Sequence, residues 1–134
     1  MQALLQSIAA GIAETAATSW FQGLGGRVYV NEAPADTTLP LAIYGIVRAD
    51  IEQTFGTDRE TYEIEVMQYH AHASGLDVAA GSAEKLHAML DNKTLTATGY
   101  DRVVIRAESR GVPAMQDDAI ETSSRFRLTA IKGS

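Results

Sequence analysis

RVYVNEAPADTTLPLAIYGIV, residues 27–47, reads as a short strand, a turn and a long strand, and the fold expected of the chain follows from it. Val28, Tyr29 and Val30 are strand formers. Pro34 and Asp36 then break the run, because proline lacks an N–H and aspartate bonds its own backbone in turns. Leu39-Pro40 opens a second strand, at a position where proline's missing donor is tolerated. Leu41, Ala42, Ile43 and Tyr44 are apolar in succession, so this strand is expected to be buried on both faces at first and to turn polar toward Gln53.

Upstream, Leu4, Leu5, Ile8 and Ile12 recur at helical spacing, with Gln2, Gln6, Ser7 and Glu14 elsewhere on the wheel. This predicts an amphipathic helix over residues 2–17. Gly11 weakens it by about 1 kcal/mol relative to alanine, so packing must hold it. Trp20 and Phe21 follow, and Gly23-Leu24-Gly25-Gly26 reads as a turn. A nucleotide fingerprint runs strand, glycines, helix; here helix precedes and strand follows, so no phosphate loop is expected.

Downstream, Phe55 to Arg59 reads as a turn. Glu60 to His70 then alternates, Tyr62, Ile64 and Val66 against Glu63 and Glu65, with the period of a half-buried antiparallel strand. The two strands form a long hairpin with one wet face. Tyr62, Ile64 and Val66 are expected to face the helices, since a slip of one residue would bury both carboxylates. Ser74 or Asp77 caps a second helix to about Leu90, with Val78, Ala79, Ala83, Leu86, Met89 and Leu90 on one side and Glu84-Lys85 on the other. Asp91-Asn92 closes it. Arg102–Arg110 and Glu121–Ile131 alternate again, around a loop at Gly111–Asp118.

The order helix, strand, hairpin, helix, hairpin predicts an α+β fold. It is a mostly antiparallel sheet of four to five strands with two helices packed on one face, in the order α-β-β-β-α-β-β, forming one domain over residues 1–134. At 134 residues the chain is long enough for one proper core. A hydrophobic share of 46% beside 21% charged residues is that of an ordinary globular protein. No apolar run reaches the roughly 20 residues of a membrane span, so no membrane partner is expected. The first residues carry no positive leader, so export is not expected. The absence of cysteine excludes disulfides and zinc–thiolate sites and fits a reducing cytoplasm. A net charge of −6 argues against a dedicated nucleic-acid binder, though acidic walls would let DNA pass without sticking.

Few residues carry candidate chemistry. His70 and His72 share a strand face, but two imidazoles fall short of a stable metal site, and His87 lies on a separate helix. Glu60, Glu63 and Glu65 crowd one segment, with Asp117 and Asp118 elsewhere. Glu63 and Glu65 sit on the polar face and are expected to be solvated, which leaves no acid–base pair. There is no nucleophile elbow, no Cys–His pair and no phosphate-loop lysine, so no enzyme and no cofactor are expected. Arg102, Arg106, Arg125 and Arg127 along the last hairpin form either a solvated sheet face or an ion-pairing surface for carboxylates across the sheet or on another subunit.

Gly25-Gly26-Arg27-Val28-Tyr29, Ala33-Pro34 and Leu39-Pro40-Leu41, set between a helix and a hairpin, resemble the tail terminators of long-tailed phages. The resemblance runs on through the second helix and a closing strand pair joined at Gln116-Asp117-Asp118. It implies a structural virion protein, assembled in the host cytoplasm, whose subunits close into a ring, commonly of six. That ring caps the tail tube, stops tube polymerisation and offers a surface for joining the head. The implied partners are other copies of the chain, the tail tube protein and a head neck or connector protein, with DNA only as passing cargo. The surfaces implied for subunit or tube contact are the turn Asn31, Glu32, Ala33 and Pro34, the hairpin tip Phe55, Asp58 and Arg59, and Arg125 and Arg127. A neck or head-completion ring is the alternative within the same biology, and a small ligand-binding α+β domain is the alternative from another class.

Elemental analysis of protein purified without chelator is expected to find no stoichiometric zinc, nickel or iron. About one equivalent per subunit, lost on His70→Ala and His72→Ala, would contradict the reading of these imidazoles.

Overall fold

Alternation builds the middle of the molecule. In the computed structural model, which describes Gln6 and residues 19–54 and 57–133, two fourteen-residue strands lie side by side at the centre of one sheet. They are β3 (Thr57–His70) and β7 (Ile120–Gly133). Tyr62, Ile64 and Val66 of β3 and Phe126, Leu128 and Ala130 of β7 point to the buried face. Glu63, Glu65, Arg125 and Arg127 point the other way and stay in contact with water. On that buried face lies α2 (Leu76–Leu90), which sinks Ala79, Ala83, Leu86 and Leu90 into the core.

Around this pair the sheet has seven strands, in the order β1-β2-β3-β7-β5-β4, with β6 pairing β7 off the main path. The others are β1 (Val28–Val30), β2 (Leu41–Thr54), β4 (Lys93–Leu95), β5 (Arg102–Arg110) and β6 (Ala114–Met115). A single helical turn, α1 (Ser19–Gly23), leads into β1, and a 3-10 turn at His72–Ser74 leads into α2. The whole is mostly sheet, curled as a half-barrel, with one long helix among the described residues.

This overturns the expected layout of two helices on a sheet of four to five strands. Of the predicted helix over residues 2–17 only Gln6 is described, and it is helical and exposed; the rest lies outside the described residues. β4 and β6 have three and two residues, too short to show any period. The pairing order also differs. β1 runs parallel to β2, and β7 sits between β3 and β5, so β5 is not the outer member of a simple closing hairpin. The turn expected at Phe55–Arg59 is tighter: β2 and β3 pair up to Thr54↔Thr57, which puts Asp58 and Arg59 inside the ladder. Neither Ser74 nor Asp77 caps α2. Its cap position is Gly75, at φ 85°, a conformation that glycine takes without strain. Val78, expected on the buried side of the helix, is exposed.

Trp20, Phe126, Leu24, Ile64, Leu86, Ile105, Ile120 and Leu128 are the largest fully buried side chains, and most of them belong to one contiguous cluster. Phe126 stands at its centre, its ring 5.2 Å from that of His87 on the overlying helix. Phe126→Ala is expected to lower unfolding stability by about 3–5 kcal/mol through lost burial plus the cavity left behind. Val112→Ala, at an 86% exposed position, is expected to change it by less than about 0.5 kcal/mol. Urea titration of both variants checks the pair.

Candidate interaction surfaces

The turn after β1 is held by its own backbone. The Asn31 N–H donates to the Tyr44 carbonyl (2.8 Å) and the Glu32 N–H to the Val30 carbonyl (2.7 Å). Asn31 and Asp36 both take positive φ, 65° and 61°, which the short polar side chains of Asn and Asp tolerate better than most. Thr37 Oγ1 donates to the Pro34 carbonyl, and Arg27 Nε donates to the Pro40 carbonyl (2.8 Å), tying the return of the turn to its start. Asn31 leans over Gly45 so closely that a Cβ there would stand 2.6 Å from its Oδ1. Glu32 and Pro34 are exposed and Ala33 is half-buried, so the turn presents a polar, ordered edge.

Pairing brings part of the predicted surface together. Gly45 stands opposite Glu65, and Glu65 opposite Arg125, so Asn31 and Arg125 flank one rung of the sheet. Arg125 bridges two carboxylates, Nη1 to Glu63 at 3.2 Å and Nη2 to Glu65 at 3.2 Å, while Arg127 pairs with Glu108 at 3.0 Å. These two arginines therefore meet carboxylates across the sheet of their own chain. Asp58 and Arg59 lie on β3 six or seven residues from Glu65, roughly 20 Å along the strand. Phe55 lies outside the described residues.

Two groupings escaped the sequence. Glu60 faces away from Glu63 and Glu65 and accepts hydrogen bonds from Tyr62 and from Tyr100 Oη, the latter at 2.9 and 3.0 Å. Burial and this carboxylate push both phenols above their ordinary range. On the opposite face Arg59, Arg102 and Arg106 line a cleft of about 250 Å³ with Asn92, Val104, Thr129 and Ile131. The like parity of Arg102 and Arg106 was readable; Arg59 joins them only because β7 separates β3 from β5.

Under one end of α2 the buried face turns polar. Gln68, His70, Thr122 and Ser124 are all at most 3% exposed. Gln68 Oε1 accepts from Trp20 Nε1 (3.2 Å) and from Ser82, while its amide nitrogen, His70 Nε2, Thr122 Oγ1 and Ser124 Oγ have no partner among the described residues. His70 borders a cavity of about 440 Å³ with Trp20, Asp77 and Lys85 on its walls. Burial holds its imidazole below the ordinary value. His87 is also held down, by burial and then by Arg110, against the opposing pull of a backbone bond at Ser109 and of Asp91. His72 is apart from both: its Nε2 donates to the Gln116 carbonyl (2.6 Å). Among the described residues no three of His, Cys, Asp and Glu come together as metal ligands, and no helix is long and apolar enough to cross a membrane.

No protein-family model and no curated protein matches the chain. Solved structures do share its fold. One is a component of the virion of a native gene transfer agent particle, 13% identical, with a TM-score of 0.67 over 90% of this chain and 91% of that one. Another, whose name carries no functional description, is 14% identical with a TM-score of 0.60 over 94% of both chains.

The buried imidazoles give stability a pH dependence with a definite sign. Both folded-state values lie below the ordinary 6.5, so the unfolded chain binds protons that the folded chain refuses. Stability is complete above about pH 6.5 and falls as the pH drops from there toward the folded values, by at most about 1.4 kcal/mol per pH unit for each imidazole. Urea midpoints measured from about pH 7.5 down to about pH 5 are expected to decline, and His70→Met is expected to flatten the decline.

Proposed function

We propose that this chain is a structural subunit of a phage or phage-derived particle, acting as a tail-terminator ring that caps the tail tube and presents a surface to the head. The observation that carries the proposal is the fold likeness to a virion component over nine-tenths of both chains. The Gly25–Tyr29, Ala33-Pro34 and Leu39–Leu41 resemblance to tail terminators points the same way. A subunit of this kind works by shape and burial, and needs neither cofactor nor nucleophile.

The architecture suits assembly. β1 covers β2 only at Ala42–Tyr44, so the backbone edge of β2 from Gly45 to Thr54 has no neighbouring strand among the described residues. Val47 and Ile51, 50% and 67% exposed, lie on that stretch. An open edge with apolar side chains is a surface that proteins ordinarily cover or pair. The ordered turn at Asn31–Pro34 sits beside it. In this reading the turn, the β2–β3 tip with Asp58 and Arg59, and the face carrying Arg125 and Arg127 meet neighbouring subunits or the tube. Heterologous contacts of this kind close into rings when the rotation fits.

The test is direct. Sedimentation and negative-stain imaging of the purified protein, alone and with assembled phage tail tubes, are expected to give hollow rings of six or tubes capped at one end. Protein that stays monomeric in both settings, with tubes lengthening unchecked in its presence, would end the terminator reading.

A further inference from the structure

We infer that the Arg59–Arg102–Arg106 cleft is the receptor for the Asp117–Asp118 loop of a second copy of this chain, a contact that rests on the ring reading above and gives it a specific interface.

Three guanidinium groups gather at one end of the sheet's wet face. Arg59 on β3 and Arg102 on β5 both stand opposite Ile131 of β7, one on each side, and Arg106 follows two pleat repeats further along β5. All three are exposed, and among the described residues none makes an ion pair or a side-chain hydrogen bond. Arg106 lies directly opposite another arginine, Arg127, whose charge is already met by Glu108. Glu52 stands opposite Arg59 on β2, but among the described residues the two form no ion pair. In a chain of net charge −6, such a concentration of unmatched positive charge calls for an anionic occupant. The cleft, at about 250 Å³, is smaller than the roughly 300–1,000 Å³ of small-molecule sites, and its size suits a pair of short carboxylate side chains.

The chain carries that pair. Asp117 and Asp118 are both exposed, and among the described residues neither has a side-chain partner. The loop that bears them is ordered: the Gln116 N–H donates to the Ala119 carbonyl (2.9 Å) and His72 holds the Gln116 carbonyl. A preset loop loses little entropy on docking. It cannot reach the cleft of its own chain. The loop joins β7 at Ile120 and the cleft lies at Ile131, about 36 Å along the strand at 3.3 Å per residue. Donor and receptor therefore sit at opposite ends of the same strand, which makes the contact head-to-tail between copies, the kind that closes rings. Nucleic-acid phosphates are the competing anion, and the overall negative charge disfavours them.

Charge reversal tests this. One variant carries Arg59→Glu, Arg102→Glu and Arg106→Glu, the other Asp117→Lys and Asp118→Lys. Sedimentation velocity in low salt, up to the highest soluble concentration, is expected to show wild-type rings. Each variant alone is expected to associate more than ~100-fold more weakly, since like charges then face each other. An equimolar mixture is expected to reassemble, because each variant's cleft then meets the other's loop; this recovery also reports that both are folded. If both variants assemble alone as the wild type does, the contact lies elsewhere and the inference fails while the ring reading stands. If only the arginine variant loses assembly, or the mixture does not recover, the loop is not the occupant. If the arginine variant assembles normally but loses binding to a double-stranded DNA fragment that the wild type holds, the cleft serves nucleic acid instead. If the wild type itself never assembles, the ring reading falls, and this contact with it.

Discussion

Fourteen rungs between β3 and β7 set one register at the centre of the sheet, and the rest of the molecule depends on it. In that register every inward position from Tyr62 to Val66 and from Phe126 to Ala130 is apolar, while Glu63, Glu65, Arg125 and Arg127 share the wet side. A slip of one residue would exchange the two sets. It would bring at least four charges into the core, at several kcal/mol for each ion. The same register places α2 over the apolar rows and brings Arg125 between its two carboxylates. Together with the β5–β7 pairing it puts Ile131 between Arg59 and Arg102. The core and the Arg125 ion pairs are therefore consequences of one pairing, and the basic cleft of two.

What could be read from the sequence follows from the range of each interaction. Alternation is local, so β3 and β7, their apolar inward residues and the polar face opposite were legible from Glu60–His70 and Glu121–Ile131 alone. The β2–β3 hairpin was legible too, because the two strands are contiguous in the chain. The β3–β7 pairing joins segments about sixty residues apart and leaves no trace in either one. Parallel pairing of β1 with β2 was also hidden, since a return of ten residues without a helix is an unusual way to connect parallel strands. The number of strands was underestimated because Lys93–Leu95 and Ala114–Met115 are too short for any pattern. The start of α2 was misjudged because the polar side chains near it were read as caps, whereas Gly75 occupies the cap position and no side chain bonds the first N–H groups there.

The candidate surfaces divide along the same line. Asn31, Glu32, Ala33 and Pro34 could be placed in a turn because Asn, Pro and Asp mark turns by their own backbone chemistry. That Asn31 lies over Gly45, and so beside Arg125, needed the parallel pairing of β1. Arg125 and Arg127 could be assigned to a polar face, yet the choice between solvent and carboxylate was decided only by β3 and β5 lying on either side of β7. The unpartnered polar groups of Gln68, His70, Thr122 and Ser124 were the least legible of all. In sequence they occupy the inward positions that follow Val66 on β3 and precede Phe126 on β7, and of the four only His70 borders the cavity beneath α2.

The outer edge of β2 carries features that limit indiscriminate pairing. From Gly45 onward no strand among the described residues pairs its outer backbone groups, and an unprotected edge of that length invites aggregation. Three features restrain it. A bulge between Ile46 and Arg48 breaks the regular spacing of donors and acceptors, so a flat strand cannot dock along its whole length. Arg48 and Asp50 form an ion pair at 3.1 Å directly on the edge, and Glu52 extends the charged row. Val47 and Ile51 then supply apolar area only at intervals between those charges. A partner that pairs here must match the bulge, answer the charges and cover the two apolar side chains together. Each requirement alone is weak, and their combination restricts the edge to a surface shaped for it.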